Sequence, residues 1–203
     1  MGNWVAELSV DIASNALLPA GSSATLSLYN GLQSYVGTMI RVDTWVQSVS
    51  LRLIGGSNKL GALASPRYYE GAALSVILQQ LLVDSNETLS PLIASSILNF
   101  NFPVWCQIAQ PISAAFTSLA QAIDSTCIWR IQPDGTVFFG IDGFPVSALT
   151  DYQLTTYRAL EYMREIATEN PSIHPGENFA GKNVSMVEHL IHEKGSRVRI
   201  LFE

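Results

Sequence analysis

Three histidines, two cysteines and a scatter of carboxylates are the side chains from which this chain of 203 residues could build a reactive site. His189 and His192 lie three apart, a spacing that would share one face of a helix. The segment around them alternates, however, and a period of two sends them to opposite faces of a strand. His174 stands alone, and no cluster of Cys or His accompanies any of the three, so a zinc site lacks its ligands. Glu161 and Glu165, with Arg158 and Arg164 beside them, read as a solvated, salt-bridged surface rather than a glycosidase pair. Asp134 and Asp142 bracket a hairpin, and Asp134-Gly135 is explained by its turn. Cys106 and Cys127 are far apart, without a CxxC pair, and read as core thiols. No G-x-S-x-G elbow, P-loop or G-x-G-x-x-G occurs. The expectation is no catalytic residue, no metal and no cofactor.

The elements that would carry these residues fall into three blocks. Residues 1–60 read as strands. Trp4 to Ile12 and Ala24 to Tyr29 alternate, Asn30-Gly31 marks a turn, and Tyr35 to Ile54 is rich in β-branched and aromatic residues. Residues 61–147 change character. A helix is predicted from Tyr69 to Val83, with Glu70 in its first turn and Val76, Leu78 and Leu82 on its apolar face. A second helix is predicted over Ile112 to Ile123, opened by Pro111, with Ala115, Leu119, Ala122 and Ile123 buried. Two strands around Gln132-Pro133-Asp134-Gly135 form a hairpin. In residues 148–203, Tyr152 to Thr168 fits helix or strand, and Lys182 to His192 and Arg197 to Phe202 are strands joined by a tight turn. The fold class expected is α+β and mainly β. Its antiparallel barrel is built from 1–60 and 148–203, with 61–147 inserted as a small α/β domain.

Composition narrows the function classes. The net charge is −6, and residues 61–150 hold six acids against two bases, so a basic patch for nucleic acid is missing. No apolar run reaches the roughly 18 residues of a membrane span. The start has no secretory pattern, and the chain reads as soluble and made in a cytoplasm. Charged residues make up only 14% and hydrophobic ones 48%, against a charged norm near 25%. Such a surface suits a subunit that buries much of itself against neighbours. A small-molecule-binding barrel with an apolar interior is a rival from a second class, and a hydrolase with an unorthodox site one from a third.

Three stretches, in order, carry a resemblance. They are Tyr69 to Leu82, then Cys127-Ile128-Trp129-Arg130-Ile131-Gln132-Pro133-Asp134-Gly135-Thr136-Val137, then His174-Pro175-Gly176 leading to Val184 through His189 and Val198 to Phe202. Together they resemble the baseplate hub proteins of tailed phages and contractile injection systems, the late-control-D and Mu-type hub family. That resemblance implies a non-catalytic virion protein of the tail baseplate, assembled in the host cytoplasm and trimeric. It also implies a ring, with a spike protein below and tail-tube and tape-measure proteins above. A distal tail or wedge subunit is the alternative within the same machine.

The closing strands carry the candidate contact. Period-two alternation puts Val184, Met186, Glu188, Leu190 and His192 on one face and Ser185, Val187, His189 and Ile191 on the other. The first face is expected to pack the barrel core. Val187, His189 and Ile191 are expected to contact a neighbouring subunit.

Overall fold

The computed structural model describes residues 2–11, 19–44, 48–141, 146–158, 162–168, 172–192 and 195–202. The chain forms two compact units, Met1–Ile141 and Asp142–Glu203. Trp45, Asp142 and Glu161 lie outside the described residues.

The first unit opens with strands β1 (Val5–Asp11), β2 (Ser23–Leu28), β3 (Gln33–Thr44) and β4 (Ser48–Gly55). They form an antiparallel sheet in the order β1-β4-β3-β2. Along β2, Ser23, Thr25 and Ser27 are exposed while Ala24, Leu26 and Leu28 are half-buried, as an alternating strand requires. Asn30-Gly31 sits in the short turn between β2 and β3, where Gly31 takes φ +88°.

The next segment departs from the expected helix at Tyr69. Arg67–Ala73 is a strand, β5, paired antiparallel with β6 (Asn101–Gln107), and helix α1 runs only from Leu74 to Ser85. The Tyr68-Tyr69 pair favours a pleated surface, and Gly71, at φ +60°, cannot be absorbed into a regular helix. Glu70 is therefore a strand residue, and Val76, expected in the core, is 51% exposed. The buried stripe of α1 is Leu74, Ile77, Leu78, Leu81 and Leu82. Asn86 ends the helix in the left-handed conformation, its amide bonded back to the last turn. Arg67 grips Asp84 through two bonds of 2.6 and 2.8 Å, tying β5 to the end of α1.

A short helix α2 (Ser95–Leu98) precedes β6. Helix α3 spans Ile112–Ile123 as predicted, with Pro111 immediately before it. Its buried stripe is Ile112, Ala115, Phe116, Leu119 and Ala120, while Ala122 is exposed. The hairpin forms as expected from β7 (Cys127–Ile131) and β8 (Val137–Ile141). Asp134 Oδ1 accepts from the Thr136 amide at 2.9 Å and its hydroxyl at 2.7 Å, which accounts for that carboxylate structurally. These elements share one core around Leu74, Ile77, Phe116, Leu119, Trp129, Val137 and Phe139.

The four-stranded sheet is fastened to this core within the first unit. The Gly2 amide donates to Trp129 and the Ile131 amide to Gly2, at 3.2 and 3.0 Å, and the Val36 amide donates to Pro133 at 2.7 Å. Glu87 accepts from the Ser57 amide and hydroxyl at 2.7 and 2.9 Å, linking the exit of α1 to the turn after β4. Burial raises the Glu87 pKa, and the Ser57 bonds oppose the shift.

The second unit contains β9 (Gln153–Arg158), β10 (Met163–Ala167), β11 (Asn178–Phe179), β12 (Lys182–His192) and β13 (Gly195–Phe202). Their antiparallel order is β11-β12-β13-β10-β9. The ambiguous Tyr152 to Thr168 is thus two strands, and Glu165 and Arg164 point to opposite faces of β10. The core here is Leu149, Ile166, Ile173, Phe179, Val184, Val198, Ile200 and Phe202.

The expected barrel is therefore corrected. The first and last strand blocks form two sheets, each open like half a barrel, rather than one closed wall. Most pairing is between strands close in sequence, where loop closure costs least. An alternating pattern identifies the two faces of a strand and says nothing about whose edge it meets.

Candidate assembly surfaces

The two faces of the C-terminal sheet follow from register. In antiparallel pairs, residues directly opposite share a face. Val187 lies opposite Ile200 and His189 opposite Val198, both buried core residues. Met186 lies opposite Leu201, Glu188 opposite Arg199, and Leu190 opposite Arg197. A register shift between Val184 and Met186 brings Val184 and Val187 to the same side. The face division expected from strict alternation fails there, because one extra residue inverts the phase of everything after it.

The three candidate contact residues are placed accordingly. Val187 is half-buried against the unit's own core, and His189 is half-buried on the same face. Ile191, toward the end of β12, is 48% exposed. The other face carries Met186, 50% exposed, beside a network of charges. Glu165 on β10 is buried and accepts from Arg197 at 2.9 Å and Arg199 at 3.0 Å, and Arg199 also donates to Glu188 at 3.2 Å. Hydrogen bonds from Arg197 and then Arg199 lower the Glu165 pKa. This network escaped the sequence reading, which placed Glu165 with Glu161. Its one visible signal was the Arg-x-Arg spacing of residues 197 and 199 on a strand.

A second surface lies in the first unit, on the β5–β6 ribbon. Tyr68 is opposite Cys106 and Glu70 opposite Val104, and all four are exposed on one side. Ile108, just past β6, is exposed as well. Cys106 is therefore a surface thiol rather than the core thiol expected. Cys127 is buried as expected, and burial, then nearby Asp124, pushes its thiol up to about 11.

A groove of about 360 Å³ in the same unit is lined by Ser23, Thr38, Ser57, Glu87, Asp134 and Thr136, among others. Its walls mix hydroxyls and carboxylates with Val36, Asn86 and main chain. Among the described residues no three His, Cys, Asp or Glu side chains are grouped to hold a metal.

The chain is thus a mainly antiparallel β protein with a small α/β layer in its first unit, and its distinctive features are surfaces. No protein-family model matches it, and no curated protein does. Among solved structures it is similar to the crystal structure of the 43 kDa tail protein of prophage MuSo2 from Shewanella oneidensis. That match has a TM-score of 0.66 at 7% identity, covering 98% of this chain and 87% of that one. The two share a fold along nearly the whole chain.

Proposed function

We propose that the chain is a structural subunit of a phage tail, and that within the tail it serves as a ring-forming hub joining the tube to the central spike. The observation that carries the reading is the fold shared with a prophage tail protein over 98% of the chain. Three features add to it: the ordered hub-like stretches in the sequence, the low charge, and the exposed apolar side chains on two separate surfaces. In this reading the protein is not an enzyme and works through interfaces. Three copies form the ring, with the spike protein on one side and tube and tape-measure proteins on the other. The open sheets supply half-barrels that neighbouring copies extend. The outward face of β12 and β13, around Met186, Glu188 and Arg199, makes a subunit contact in place of the inward Val187 and His189, with Ile191 at its margin.

Native mass spectrometry and light scattering on the purified chain test this. A trimer, or a trimer formed on adding the spike protein, is the expected result. A monomer at tens of micromolar, unchanged by spike or tube protein, overturns the hub reading, and six copies would favour a tube or distal ring subunit.

A further inference from the structure

Around Phe202, the second unit's core ends in two cations set among tyrosines. Arg164 on β10 lies opposite Ile200 on β13 and Tyr157 on β9, so it stands on the face that carries the core. Its guanidinium lies over the Tyr157 ring at 5.5 Å and over the Phe202 ring at 5.6 Å. Lys182, opposite Phe179 at the start of β12, reaches the same Phe202 ring at 5.9 Å and the Tyr162 ring at 5.3 Å. Phe202 and Phe179 are buried, whereas Tyr157 and Tyr162 are 51% and 55% exposed, so the cluster opens to solvent. Tyr162 takes φ +48°, a backbone that a bulky residue rarely adopts. Its carbonyl accepts from the Phe202 amide at 2.9 Å, which ties it to the end of β13.

What this pair of cations lacks is an acid. Arg197 and Arg199, on the other face, are held by Glu165 and Glu188. Among the described residues no carboxylate is ion-paired with Arg164 or Lys182. The side chains that share their face are Ile200 and Phe202 from β13, Val184 from β12, Tyr157 from β9 and Phe179 from β11, none of them acidic. An aromatic ring attracts a cation through its quadrupole and leaves the charge in place. The rings take the flat side of the guanidinium, while its N–H donors fan out from the edge. That leaves a fork suited to a planar carboxylate. It also occupies ring faces on which a nucleic-acid base would stack, and the net charge of −6 opposes a long polyanion.

We infer that this cluster is a docking site for an acidic segment of a partner protein, whose carboxylates pair with Arg164 and Lys182 between the exposed rings of Tyr157 and Tyr162. Alternate side chains of an extended segment share a face and recur about every 7 Å. Two acids at that spacing suit two cations gathered around one ring. The site lies on the opposite face of the sheet from Met186, Glu188 and Arg199. The inference concerns the second unit alone and stands independently of any role in a tail.

An NMR titration of the full chain with a peptide of four Glu-Thr repeats tests it. Resonances of Tyr157, Tyr162, Arg164 and Lys182 should shift saturably, and raising the salt should weaken the binding. A peptide of four Gln-Thr repeats should leave them unmoved. Arg164→Met with Lys182→Met removes both charges and keeps apolar cover over Phe202, and should weaken binding about tenfold. Lys182→Met alone should weaken it about threefold, and decides the matter should the double variant fail to fold. No saturable shift at these residues overturns the site, as does equal affinity in a folded variant. Tighter binding of an oligothymidylate at the same residues would overturn the acidic partner in favour of a nucleic acid. Shifts there that depend on protein concentration alone would overturn it in favour of a second copy of the chain.

Discussion

Truncating Trp129 to Ala is the sharpest probe of how the first unit is held together. The ring is 3% exposed on β7, packs on Phe116 with centroids 5.5 Å apart, and donates from Nε1 to the Thr117 hydroxyl at 2.8 Å. Removing it leaves a cavity between α3 and the hairpin, and losses of this kind cost about 3–5 kcal/mol. The Thr117 hydroxyl keeps the Ser113 carbonyl as its acceptor at 3.0 Å, so no donor is orphaned and nothing need be added. Trp129→Phe keeps most of the volume and loses the hydrogen bond, for about 1–2 kcal/mol. All four tryptophans fall within Met1–Ile141. Fluorescence-monitored urea unfolding therefore follows this unit, and the three tryptophans left in the variant still report. The alanine variant should also melt about 10 °C lower. A loss under about 1 kcal/mol would mean that β7 does not close the core over α3, refuting the packing described.

Other substitutions extend the account. Glu165→Gln should cost about 1 kcal/mol in low salt and less in 0.5 M NaCl, because its arginine partners are largely exposed; urea midpoints at the two salt concentrations decide it. The Glu165 pKa is lowered in the fold, so its stabilisation is present above about pH 4.5 and lost as pH falls through the folded value. His189 works in a higher window. Its folded pKa is also depressed, but protonation here creates the charge, so stability falls as pH drops from 6.5 toward 4. Thermal melts between pH 7.5 and 4 should show both steps, the upper one absent in His189→Gln. Val187→Asp should unfold the second unit while Met186→Asp stays folded and blocks assembly, as circular dichroism and light scattering would show; the reverse would invert the faces. Gly37→Ala would push a methyl into the Ile54 carbonyl and the Trp4 ring, and should cost roughly 1–3 kcal/mol, whereas Gly61→Ala meets open space.

What could be read from sequence divides along physical lines. The β7–β8 hairpin and α3 were legible because Pro-Asp-Gly and an N-terminal proline act locally, within a few residues. The start of α1 was misplaced because Tyr68 to Ala73 is apolar enough to blend into the following helix. Only its pairing with β6, about 35 residues away, makes it a strand. Faces of β12 were misassigned after Val184 because a bulge is set by the partner strand and leaves no trace in the alternation. The Glu165 network joins residues from three strands, and the half-barrels depend on which edges meet. Both are tertiary facts. The ordered stretches from Tyr69, Cys127 and His174 resemble a phage-tail family, and the fold is similar to that of a prophage tail protein even though 7% identity leaves little pattern to compare.

The central claim, a structural place in a phage tail, is tested most directly by locating the chain on the particle. Gold-labelled antibody raised against the chain should bind assembled tails at the end distal to the head, in electron micrographs of purified particles. Gold on the capsid, or purified particles whose mass spectra lack the chain altogether, would contradict it.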